Sequence, residues 1–137
     1  MKVRELSAIG KLLGMCGLGK MKSADKVCVV KASRAIKKAV AEYDEAAQEA
    51  VRCLKPEGFD ALRDKSRSTG LSGEEAAEFG RMMRQYDSDV EAATADLGEA
   101  EAMPEFERLG EDAFFSLVDS NESLTLEQIQ RLEEVLC

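Results

Sequence analysis

Histidine and tryptophan are absent from this chain, proline occurs twice, and aromatic residues make up only 5% of it. Each shortage excludes something. Without histidine the chain lacks the commonest general base near neutral pH and the commonest metal ligand, so chemistry would fall to Asp, Glu, Lys or Cys. The four cysteines, Cys16, Cys28, Cys53 and Cys137, show no C-x-x-C spacing, whereas structural zinc sites take their ligands in close pairs. They read as reduced thiols of a cytoplasmic protein, three of them packed as small hydrophobes. No apolar run approaches the roughly 18 residues that a membrane span requires. The stretch from Ala8 to Leu18 is broken by Lys11 and has no small-x-small cleavage site after it, so no export signal is expected. What remains is a chain rich in Ala, Leu, Glu, Lys and Arg, a helical composition of a size that suits one domain.

The apolar spacing supports that composition. Val3, Leu6, Ile9, Leu13 and Cys16 share one side of a helix over residues 3 to 16, which Gly17 and Gly19 end. Ser23 is placed to cap a second helix with Asp25 in its first turn. That helix can run from Ala24 to about Leu54, with Val29, Ala32, Ile36, Ala39, Tyr43, Ala46, Ala50 and Cys53 at spacings of three and four. Pro56 and Gly58 interrupt it, Phe59 and Leu62 suggest one or two further turns, and Ser66 to Gly70 reads as a turn. Ser72 and Glu75 form a capping box. Behind it Ala76, Phe79, Met83, Tyr86, Val90, Ala93 and Leu97 follow a 3-4 spacing for three heptads, which suits either the core face of a bundle helix or an intermolecular coiled coil. Gly98 to Pro104 is a connection, Phe114, Phe115, Leu117 and Val118 form an apolar cluster, and Thr125 caps a last helix whose apolar residues are Leu126, Ile129, Leu132, Val135 and Leu136.

The expected fold is therefore all-α: a long antiparallel helical hairpin or bundle with a small C-terminal helical unit. One domain spans 1–137, with an N-terminal helix and Gly-rich turn at 1–22, the hairpin at 23–98 and the C-terminal unit at 104–137. In this reading Phe79, Met83, Tyr86 and Val90 pack against Ile36, Val40 and Tyr43, and the same four residues are the candidate association face.

Two stretches imitate ligand sites. Gly14 to Lys20 spells G-x-x-x-x-G-K, most of a phosphate-binding loop, in which backbone N–H groups wrap phosphates and a following Ser or Thr holds magnesium. Met21 stands at the hydroxyl position and cannot ligate a hard cation. Helical spacing precedes the loop where a buried strand is needed. Asp119-Ser120-Asn121-Glu122-Ser123 resembles the start of a calcium loop, but Leu124 replaces the turn glycine and Gln130 the bidentate glutamate. Neither metal nor cofactor is expected.

Charge is divided along the chain. Residues 1 to 40 carry ten Lys or Arg against two acids, while residues 41 to 137 carry nine against 25, a net +8 beside −16. Lys31, Arg34 and Lys38 line one helix face; with Lys20, Lys22 and Lys26 they are the candidate anion-binding residues. No aromatics are interleaved for base stacking, and the acidic remainder would repel a phosphate backbone, which argues against nucleic acid. The competing reading is that the basic start pairs with acidic helices of the same molecule or of a neighbour.

The short Leu-rich helix, Gly/Lys turn and long Lys/Ala helix of Met1 to Glu45 occur together with a second set of motifs. These are Leu109-Gly110-Glu111-Asp112-Ala113-Phe114, Asp119-Ser120-Asn121 and Leu124-Thr125-Leu126-Glu127-Gln128-Ile129. Together they resemble short helical proteins encoded by tailed phages and prophages of gut bacteria. That resemblance implies no known activity and carries over no catalytic residues. The expected function is non-enzymatic: self-association, a homo-oligomer being the first expectation, or binding of a host or phage protein in the cytoplasm. The alternative is a protein that sequesters a small anionic ligand or nucleotide.

Overall fold

All 137 residues are described by the computed structural model, which is all-helical. The helices are α1 (Val3–Gly14), α2 (Ser23–Cys53), α3 (Phe59–Ser68), α4 (Gly73–Glu99), α5 (Glu111–Asp119) and α6 (Leu126–Leu136). They form two compact units. The first comprises residues 1–42 and 98–137, the second residues 43–97, and α2 contributes to both.

The first unit has a deep core. Leu6 of α1, Ile36 of α2, Leu117 of α5, and Leu132 and Leu136 of α6 are all essentially sealed from solvent. Each comes from the apolar stripe of its own helix, so burying the stripes together is what collects the four segments. α1 and α2 approach closely at Gly10, where an added Cβ would lie 2.9 Å from a methyl of Ile36. Gly10 is therefore a packing requirement rather than only a weak point in the helix. The stretch between α4 and α5 is extended. Its Ala100 carbonyl accepts from the Val3 N–H at 2.8 Å, and its Ala102 N–H donates to the Met1 carbonyl at 3.0 Å. Lys2 and Arg4 each reach Glu99 at 2.6 Å. The hydrogen bond from Lys2, with Arg4 beside it, holds the Glu99 carboxyl below its ordinary pKa. Farther along, the Leu109 N–H donates to the Leu136 carbonyl at 2.7 Å. Thr125 caps α6 in a capping box with Gln128.

The second unit is an antiparallel hairpin with α3 at its tip. The Tyr86 hydroxyl donates to the Val51 carbonyl, which sets the register between α2 and α4. Phe59, the first residue of α3, stacks on Phe79 at 5.4 Å between ring centroids and meets Tyr86 edge-on at 5.3 Å. The expected Ser72–Glu75 capping box opens α4, both bonds at 3.2 Å, and Lys65 of α3 ties to Glu75 at 2.6 Å. Gly70 ends α3 with φ at 83°, a conformation only glycine takes without strain.

Several local expectations are corrected. α2 begins at Ser23 itself, with the Lys22 carbonyl accepting from the Lys26 N–H, so Ser23 is the first helical residue and not the cap. Residues 66–68 continue α3, and the turn is confined to the residues that follow. Phe115 and Leu126 point into solvent, although both sat in predicted apolar clusters. The seam of α4 also differs. Tyr86 is buried and Phe79, Val90 and Leu97 are half-buried, but Ala76, Met83 and Ala93 are exposed, and Thr94 is buried in place of Ala93. A heptad pattern drifts by about 20° per repeat on a straight helix, so strict 3-4 spacing overshoots the covered face within three repeats. Thr94 is tolerated there because its hydroxyl donates to the Val90 carbonyl at 3.1 Å.

The expected partners of that seam change as well. Ile36 and Val40 belong to the core of the first unit, where Ile36 faces Gly10. Register supplies the reason. With Val51 opposite Tyr86, Phe79 lies two turns farther toward the tip, past the end of α2, where Phe59 receives it.

Candidate association surface and basic face

The two stretches that imitate ligand sites are engaged with each other. The Gly17 N–H donates to the Asn121 side-chain oxygen at 2.7 Å, and the Asn121 amide returns a bond to the Gly17 carbonyl at 2.8 Å. The Lys20 N–H donates to the Ser120 hydroxyl at 2.9 Å. Backbone donors that a phosphate would need are thus already satisfied by the end of α5 and the residue after it. Met21 is buried, and a helix, α1, precedes the turn. The glycine turn is a clasp that joins α1, α2 and α5. Sequence reasoning missed this pairing, since nothing local relates Gly17 to a residue more than a hundred positions away.

The six candidate anion-binding residues are distributed as follows. Lys20 and Lys22 lie in the turn before α2, and Lys26 is half-buried in its first turns. Lys31, Arg34 and Lys38 share one exposed face of α2 at the i, i+3, i+7 spacing of a helical stripe, with Lys37 on its flank. Ion pairs in the molecule use Lys2, Arg4, Arg52, Lys55, Arg63, Lys65, Arg131 and the terminal amine. None of the six is among them. Internal pairing therefore accounts for Lys2 and Arg4 but leaves the basic face of α2 unneutralised. Two valines sit within that face: Val27 is 51% and Val30 42% exposed. Both fall outside the Val29, Ala32, Ile36 stripe, a signal that the sequence already contained.

In the second unit an open groove of about 430 Å³ runs between α2 and α4, lined by Tyr43, Ala47, Val51, Tyr86, Val90 and Thr94 with Asp87 and Glu91 at its edge. Neither of those two carboxylates has a basic partner. The four candidate association residues divide here. Tyr86 and Phe79 are occupied inside the unit by Val51 and Phe59, whereas Val90 faces the groove and Met83 is 36% exposed. Val51 and Leu54 add further uncovered apolar surface.

Thiol chemistry is not favoured by the surroundings of the cysteines. Burial raises the pKa of Cys16 and Cys137, and Glu133 adds to the rise at Cys137. Partial burial and a hydrogen bond to Glu107 raise that of Cys28, and a hydrogen bond to Glu49 raises that of Cys53. All four are held toward the neutral thiol, the weaker nucleophile. No three Cys, Asp or Glu side chains converge in the manner of a metal site, and no helix is long and apolar enough to cross a membrane. Comparison with protein-family models, with curated proteins and with solved structures found no match.

Proposed function

We propose that this chain is a non-enzymatic helical protein of phage type that works by protein–protein association, in the first place with further copies of itself. The observation that carries the proposal is the groove of the hairpin, where Tyr43, Ala47, Val51 and Val90 line a cleft open to solvent. A pair of helices encloses little, and the usual remedy is a third or fourth helix packed on the same seam. A homo-oligomer supplies those helices; a host or phage protein with an amphipathic helix is the other occupant of this kind. Static light scattering at micromolar concentration, in low and in high salt, tests the proposal. A mass that rises above the monomer with concentration supports it, and a strict monomer under both conditions contradicts it.

A second reading, capture of a small anion or nucleotide, draws its support from the unpaired Lys20, Lys22, Lys31, Arg34 and Lys38. None of these bases lines the hairpin groove or the clefts beside α1 and α6. Calorimetric titration with inorganic phosphate and with a nucleotide would show heat under this reading and none under the first.

A further inference from the structure

Two unsatisfied surfaces of this chain complement each other, and neither complements itself. The outer face of α2 offers Val27 and Val30 among Lys31, Arg34 and Lys38, with no carboxylate paired to any of the three bases. The hairpin groove offers an apolar floor with Asp87 and Glu91 at its edge, again unpaired. Arg34 and Lys38 are four residues apart on one helix, as are Asp87 and Glu91 on another, so each pair is separated by about 6 Å along its axis. The long stems of the bases can lie along apolar surface while their charged ends reach the rim.

We infer that the groove of one copy receives the basic outer face of α2 from a second copy, Val27 and Val30 facing the groove floor and Arg34 and Lys38 meeting Asp87 and Glu91. This rests on the self-association reading and adds to it the identity of the surface that fills the groove. The alternative contact within that reading, groove against groove, would set four like charges together without a counter-charge, which opposes association. Copies can pair reciprocally about a two-fold axis, each basic face in the other's groove, or extend from copy to copy into a ring or a filament.

Two charge-reversed variants test the inference, both altered only at side chains that form no ion pair inside the chain. One carries Lys31→Glu, Arg34→Glu and Lys38→Glu, the other Asp87→Lys and Glu91→Lys. Sedimentation velocity is run on the parent, on each variant and on their equimolar mixture, with circular dichroism to check helicity. The expected result is concentration-dependent growth of the parent and loss of association by about a hundredfold in each variant alone. Association returns in the mixture, because each variant then meets a partner of opposite sign. Growth of the parent should also weaken as salt rises, since screening acts over roughly 10 Å at 0.1 M. A parent that forms a simple dimer, unaffected by reversal of the three α2 bases, overturns this docking while leaving self-association intact. A parent that stays monomeric overturns both.

Discussion

Residues 1–42 and 98–137 enclose their apolar side chains between segments of four helices, whereas residues 43–97 have two helices and a short tip with which to do the same work. The contrast shows in what each unit buries. Leu6, Ile36, Leu117, Leu132 and Leu136 are sealed in the first. In the second only Ala50, Phe59 and Tyr86 are buried among the apolar residues, each still 8% exposed. An aliphatic core needs walls on several sides, and four segments provide them. A hairpin provides two, so it substitutes an aromatic cluster at the tip and leaves the seam above that cluster open. One unit encloses its apolar side chains, and the other leaves part of its seam open to solvent.

The largest effect expected from this contrast is in the first unit. Leu117 is fully enclosed, so Leu117→Ala should cost about 3–4 kcal/mol through lost transfer and the cavity it leaves. Urea unfolding of parent and variant measures this, and a loss below about 1 kcal/mol would erase the distinction between the units. Phe59→Ala comes next at about 2–3 kcal/mol, since it removes both ring contacts but from a cluster that already borders solvent. Hydrogen exchange should show the amides of α3 and of the first half of α4 losing protection while those of α1 and α6 keep it. Uniform loss throughout the chain would mean that the hairpin lacks the independence assigned to it. The smallest effect belongs to Met83→Asp. Its side chain reaches solvent, so a carboxylate there stays hydrated and should cost no more than about 1 kcal/mol by thermal melting. A loss of several kcal/mol would place Met83 inside a core.

How much of this could be read from the sequence depends on how local each determinant is. Helix type, the Ser72–Glu75 box, the Thr125 cap, the apolar stripe of α1 and, apart from Leu126, that of α6 rest on residues within one or two turns of each other, and these were legible. The antiparallel hairpin was legible too. Its register was not, because Tyr86 finds the Val51 carbonyl through packing of the tip rather than through any spacing. Strict heptad spacing puts Met83 and Ala93 of α4 inside and leaves Thr94 out, whereas a straight helix turns them the other way. Of the candidate site, the basic stripe of Lys31, Arg34 and Lys38 is visible as a charge pattern, whereas the exposure of Val27 and Val30 follows only from which face of α2 the fold buries. The clasp of Gly17 and Lys20 by Ser120 and Asn121 was beyond reach, since both halves have local patterns that suggest ligands and only the fold brings them together.

The central claim is that the seam between α2 and α4 is left open for another copy of the chain, and Ala47 at the middle of that groove tests it most directly. Sedimentation equilibrium over a hundredfold range of concentration should show the parent associating in low salt. Ala47→Arg should remain monomeric with its helicity unchanged, because a bulky base on the groove floor blocks Val27 and Val30 of the second copy and repels its Arg34 and Lys38. If the two proteins associate to the same extent, the groove is not where the copies meet.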